Sequence, residues 1–290
     1  NLRPNQQFAR INYLDSGGDS YYHSLQATMR KRFSAGLQAG AAYTLAKSID
    51  DQSVDPVGAS SGAGLSTTNS RTPTDTRNWR NERGRSDFDR RHVFTGNWVW
   101  ELPFGKSGAV KQVIGGWSIN GLFTAMSGEP FSVRSGARTS NNAHESRAAI
   151  IGKAPVPKLQ PGRIGPVHFT TNDLCSDKVT TNCFAIPQPG DNGAGRNIFE
   201  APGYWNLDLS VIKSFPLTER VRLQFRAEAF NALNHVNFDN PRDASVGSPS
   251  ILSTQFGSAC CAAVAPPSTQ TIIQTGEAAR VVQFAMKLQF

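Results

Sequence analysis

Short turns and very long polar loops take turns between segments of period-two hydrophobicity, and this alternation constrains the 290-residue chain more than any other feature. The C-terminal segment shows the period most cleanly: Val282, Phe284, Met286, Leu288 and Phe290 fall on one face, and Gln283, Ala285, Lys287 and Gln289 on the other. Val221, Leu223, Phe225, Ala227 and Ala229 likewise oppose Arg220, Arg222, Gln224, Arg226 and Glu228, in a split running on to Leu233. Related segments cover 24–33, 37–46, 92–102, 116–126 and 205–211, with a weaker one at 8–14. They make about eight strands of about ten residues each. Segment 116–126 is apolar on both faces, so its period assigns no orientation. Turns at Ser34–Gly36, Pro103–Gly115 and Pro216–Glu219 separate loops at about 50–87, 129–202 and 234–277.

Compact soluble domains rarely carry three structureless loops of that size. A transmembrane β-barrel does so routinely, with short periplasmic turns, long outer loops and strands long enough to cross the bilayer at a tilt. The expected fold is therefore all-β, an antiparallel transmembrane β-barrel portion. A soluble β-sandwich or jelly roll is the rival, since its strands alternate too. Aromatic residues near the segment ends (Tyr21, Tyr22, Trp98, Trp100, Trp117, Tyr204, Trp205) and the terminal Phe290 favour the barrel. No run of about 18 apolar residues offers a membrane helix. The 17 Phe, 5 Trp and 5 Tyr exceed what a wholly disordered chain carries. A net charge of +8 permits an anionic partner, but the basic residues are dispersed and suggest no nucleic acid. The chain opens on Asn1 without Met or a signal peptide, as a processed product or a fragment does.

Several motifs carry a resemblance. Ser20-Tyr-Tyr-His-Ser-Leu-Gln-Ala-Thr28, Lys31-Arg-Phe-Ser-Ala-Gly-Leu37, Tyr43-Thr-Leu-Ala-Lys-Ser-Ile-Asp-Asp51 and Ser86-Asp-Phe-Asp-Arg-Arg-His-Val-Phe94 are among them. Others are Glu101-Leu-Pro-Phe-Gly105, Gly115-Gly-Trp-Ser-Ile-Asn-Gly121, Ser127-Gly-Glu-Pro-Phe131, Asn206-Leu-Asp-Leu-Ser-Val-Ile-Lys213 and Arg226-Ala-Glu-Ala-Phe-Asn-Ala-Leu-Asn-His-Val-Asn-Phe238. Together they resemble the barrel of TonB-dependent outer-membrane receptors, in the Oar-like, acidobacterial-type branch with a carboxypeptidase-regulatory-like domain. The resemblance implies a barrel of about 22 strands around a plug, energised by TonB and taking up a siderophore, cobalamin, saccharide or peptide. On that reading residues 1–290 are the C-terminal segment of the barrel, with the plug domain absent, contributing wall and ligand-capturing loops. The alternative is a self-closed eight-stranded outer-membrane barrel, or a barrel-derived surface module, acting in adhesion or structure. Expected partners are outer-membrane lipid and lipopolysaccharide, the barrel-assembly machinery, TonB through the missing part, and a small-molecule ligand.

Particular residues acquire roles on this reading. Phe284, Met286, Leu288 and Phe290 look like the signal that the barrel-assembly machinery reads; an ordinary final strand is the plainer account. Arg222, Gln224, Arg226 and Glu228 are expected to line the barrel interior, because arginine facing lipid at mid-membrane costs about 2–4 kcal/mol. They either contact a plug or anionic substrate, or form a solvated ladder. Cys175 and Cys183 lie in the longest loop and match no zinc signature; outside the inner membrane they are expected to form a disulfide. The adjacent Cys260 and Cys261 remain undecided.

Asp50, Asp51, Asp55, Asp75, Asp87 and Asp89 share a loop with Arg71, Arg77, Arg80, Arg83, Arg85, Arg90 and Arg91. The carboxylates suit Ca2+ in chemical type, without EF-hand spacing, against a plain solvated loop. The arginines suit lipopolysaccharide phosphates. Catalysis is not expected: Gly58-Ala-Ser-Ser-Gly62 matches a nucleophile-elbow pattern but lies in a Gly/Ser/Ala loop, and the five histidines have no metalloprotease spacing.

Overall fold

The computed structural model describes residues 17–53, 74–75, 77–104, 114–137, 139, 146–161, 166–175, 182–218, 220–238, 241, 250–253, 256–257 and 279–290. The long strands are β1 (Ser20–Ser34), β2 (Leu37–Asp50), β4 (His92–Glu101), β5 (Trp117–Met126), β12 (Tyr204–Pro216), β13 (Arg222–Phe230) and β14 (Val281–Gln289). The short ones are β3 (Gly84–Arg85), β6 (Pro130–Phe131), β7 (Ala149–Ile151), β8 (Gln160–Pro161), β9 (Pro166–Val167), β10 (Cys183–Ala185) and β11 (Phe199–Glu200). Short 3-10 turns occupy Trp79–Glu82 and Thr171–Asp173.

The long strands form one antiparallel sheet in the order β1-β2-β4-β5-β12-β13-β14, with β3 paired to β2. The sheet is open among the described residues, so β1 and β14 are its edges. Seven long strands are therefore present where the period suggested about eight; the eighth, at 8–14, lies outside the described residues. The long connections all leave one end of the sheet and the short ones the other. At the β1–β2 turn, Ala35 (φ 52°) and Gly36 (φ 81°) both adopt left-handed backbone, the geometry whose twist suits a two-residue hairpin.

Register converts the period of each strand into two continuous faces. Partners Ala39, Trp98, Gly121, Leu209, Ala229 and Val282 form an unbroken row across six strands. Gln38, Val99, Asn120, Ser210, Glu228 and Gln283 form the adjacent row on the opposite face. One face is apolar and aromatic, the other mainly polar. Pairing also orients β5, which the period left open: Trp117, Ile119, Gly121, Phe123 and Ala125 share the apolar face, Ser118, Asn120 and Thr124 the polar one. Gly121 is required there, because a Cβ at this position would lie 2.1 Å from the Trp98 indole.

The apolar face carries Trp98, Trp100 and Trp117 near the short turns and Tyr21 and Trp205 near the long connections; Tyr22 and Tyr204 stand on the polar face. Lys31, Lys47 and Lys213 place charges on the apolar face near its two ends, and Lys213 shows how one is accommodated. Its ammonium donates to the Gly115 carbonyl and lies 5.2 Å and 5.0 Å from the Trp117 and Phe215 ring centroids. Its aliphatic stem thus covers apolar surface while the charge reaches the short-turn end.

Candidate functional site

Above the long-connection end of the sheet, the loops expected to be structureless fold together. This corrects the reading of 129–202 in particular, which contributes β6 to β11 and most of an aromatic core. That core comprises Phe131, Val133, Ala148, Phe169, Phe184, Phe199 and Ala201, joined by Ile251 and Phe256 from the β13–β14 connection. Phe169 stands edge-on to Phe184 and Phe199 at 5.1 Å and 5.4 Å and stacks on Phe256 at 5.9 Å. Burying each such ring stabilises the cap by about 1.5–3 kcal/mol. The Ile251 amide donates to the Arg134 carbonyl, linking two long connections directly.

Cys175 and Cys183 are joined by a disulfide. It anchors the Thr171–Asp173 turn, which Thr170 and Asp173 cap reciprocally, beside β10 and the buried Phe184. Cys260 and Cys261 lie outside the described residues.

Buried and half-buried arginines tie the connections of the cap to one another and to the wall. Arg196 donates through Nη1 to the Asp50 carboxylate at 2.7 Å and the Asp50 carbonyl at 2.9 Å, and through Nη2 to Ser53 Oγ at 2.5 Å and Asp87 Oδ1 at 3.3 Å. Arg147, with 2 % exposure, donates to Glu82 Oε2, Thr74 Oγ1 and the Asn81 and Ala194 carbonyls. Arg85 reaches Asp89 and Glu200 at 2.7 Å each, and Arg90 reaches Glu129 at 2.6 Å. Burial alone would lower the Arg85 and Arg196 pKa values, but their carboxylate partners more than offset it and hold both guanidinium groups above their ordinary range.

Underneath, the polar face of β2 is covered: Ala46, Ser48 and Asp50 are buried while Tyr43, Leu45 and Lys47 on its other face are exposed. The Ser48 amide donates to Asp89 Oδ1 at 2.8 Å.

This placement settles what several loop carboxylates face. Asp50, Asp87 and Asp89 are engaged by guanidinium groups, and Asp75 accepts from the Arg77 amide. Among the described residues no three His, Cys, Asp or Glu side chains gather in a metal-binding cluster. Asp55, Arg71 and Gly58–Gly62 lie outside the described residues, as does His144.

On the wall, Arg222, Gln224, Arg226 and Glu228 share the polar face with Ser210, Ser214, Gln283 and Lys287. Glu228 accepts from Gln283 Nε2 at 2.6 Å and lies 3.9 Å from Arg226 Nη1. Across the sheet, Phe225 stacks on Phe284 at 6.1 Å. Phe284, Met286 and Leu288 run along the apolar face of the edge strand β14, and Phe290 beyond it is 92 % exposed.

The segment expected to continue as strand to Leu233 stops at Phe230. Asn231 and Asn234 take left-handed backbone (φ 47° and 52°), and the Asn231 side chain accepts from the His235 amide while donating to its carbonyl. Asn237 then pairs with both backbone groups of Trp205 at 3.0 Å, and the His235 ring stacks on the Trp205 indole at 3.9 Å. Sequence reasoning missed these asparagines, together with Arg147, Arg196 and the five core phenylalanines. The signal available was the recurrence of Phe inside segments otherwise read as polar loops.

The geometry is that of a two-faced antiparallel wall with its apolar side bare, bearing a folded cap at one end. A family model described as outer membrane beta barrel domain matches residues 1–283. No curated protein and no solved structure matches the chain. The apolar face is accordingly the lipid-facing side of an all-β wall, the polar face the interior, and the cap the outer side. The chain belongs to the outer membrane beta barrel domain family, and its place is the bacterial outer membrane.

Proposed function

We propose that the chain supplies wall and outer cap to the barrel of a TonB-dependent receptor that takes up a siderophore, saccharide or similar solute. The observation that carries this reading is that, among the described residues, β1 and β14 are open edges of a sheet with one apolar and one mainly polar face. Eight strands close only onto a lumen filled by side chains, so a solute-sized passage needs further strands on these edges. The folded cap supports a ligand-capturing role, since it holds its loops in fixed positions and lowers the ordering cost of binding. The interior charges Arg222, Gln224, Arg226 and Glu228 supply polar surface to an occupant of the lumen.

The test is the intact mass of the native polypeptide in outer-membrane fractions, combined with solute uptake in cells with and without TonB. A polypeptide roughly three times the 31.4 kDa of this chain, with uptake lost without TonB, is the expected result. A polypeptide near 31.4 kDa, indifferent to TonB, overturns it and leaves the small closed barrel acting in adhesion or structure.

A further inference from the structure

The arginine-rich connection between β2 and β4 divides into two groups. Arg85 and Arg90 turn onto carboxylates of the cap. Arg83 does not. Its guanidinium carbon lies 4.8 Å over the Tyr21 ring, on the lipid-facing side of β1. Directly below, the next lipid-facing pair is His23 and Lys47, and below that the ladder turns apolar with Leu25 opposite Leu45 and Ala27 opposite Tyr43. His23, Lys47 and Arg83 are all exposed, and among the described residues no carboxylate forms a salt bridge with Lys47 or Arg83.

Each lipid-facing step along a strand is about 7 Å. The two cations and one imidazole therefore sit within roughly one headgroup's height of the point where the apolar band ends. Their end of the sheet is the long-connection, outer end. A cation there meets the outer leaflet's headgroups rather than its acyl chains, and the Tyr21 ring holds the Arg83 guanidinium in place at an amphipathic boundary.

We propose that Lys47 and Arg83, with His23 as a hydrogen-bond donor, bind the phosphates of lipopolysaccharide at the outer rim of the barrel. The occupant follows from charge complementarity and from continuity with the lipid-facing apolar band. The inference rests on the barrel's place in the outer membrane and not on solute uptake, so it stands or falls separately from the receptor reading.

The test uses the full chain folded in uncharged detergent micelles without divalent cations. It is titrated with purified lipopolysaccharide, with the same lipid after enzymatic dephosphorylation, and with inorganic phosphate. Lipopolysaccharide should bind, weakening with salt; removing each of Lys47 and Arg83 (Lys47→Gln, Arg83→Gln) should weaken it about fivefold. Lys287→Gln, on the interior face near the short turns, should leave binding unchanged. Heat-modifiable migration confirms folding of each variant, and either single variant serves where the other fails that check. Equal binding of the dephosphorylated lipid, unchanged affinity of the folded variants, or full displacement by inorganic phosphate at matched concentration overturns the proposal.

Discussion

Arg196 and Asp50, separated by 146 residues in sequence, meet in an ion pair at 2.7 Å with side-chain exposures of 4 % and 3 %. This pair fastens the cap, built largely from the β5–β12 connection, to the last residue of β2. Removing one partner leaves the other charge buried without compensation, which costs about 3–5 kcal/mol. Arg196→Gln should therefore loosen the cap without dismantling the sheet. Limited proteolysis of the folded variant should cut within 129–202 at protease levels that spare the parent, while heat-modifiable migration persists. Equal resistance in both would show that the aromatic core alone secures the cap.

Two adjacent positions on β14 test the assignment of faces. Phe284 stands on the lipid-facing side, and Gln283 on the interior side donates to Glu228. Phe284→Arg should destabilise the vesicle-inserted protein by about 2–4 kcal/mol, whereas Gln283→Arg, opposite a carboxylate, should cost at most about 1 kcal/mol. Urea unfolding from vesicles gives both numbers. Similar costs at the two positions would refute the two-faced wall.

The disulfide between Cys175 and Cys183 has a local effect to measure. Closing so short a loop contributes on the order of 2–3 kcal/mol. A Cys175→Ser/Cys183→Ser double variant, or the parent under reductant, should lose about that much stability in a probe confined to the cap. Reductant should change nothing further in the double variant.

Phe290 closes the lipid-facing row of β14 and is almost fully exposed. If it is read during assembly, deleting it should lower the fraction of chain inserted into the outer membrane severalfold in cells. Spontaneous folding of the purified chain into vesicles should be nearly unaffected, because the Phe290 side chain buries almost no surface against the described residues. Equal insertion in cells would end its role as a signal.

The strands were readable because their information is local. Alternation such as Val221 to Ala229 against Arg220 to Glu228 follows from one chemical demand per face, and the alternating loop lengths follow from strands leaving the same end of a sheet. Where that demand is the same on both sides, as in 116–126, period carries no orientation; the row from Trp98 through Gly121 to Leu209 supplied it by pairing. The end of β13 depended on Asn231 and Asn237 bonding to residues that are distant or out of period.

The cap was hidden for a stronger reason. Phe131, Phe169, Phe184, Phe199 and Phe256 follow neither a strand nor a helix period, and Arg196 has nothing near it in sequence that announces Asp50. Period-two hydrophobicity by itself determined a wall with one apolar and one polar side. Only tertiary structure decided that the polar loops fold into a body of their own, because its core and ion pairs unite side chains that no local pattern relates.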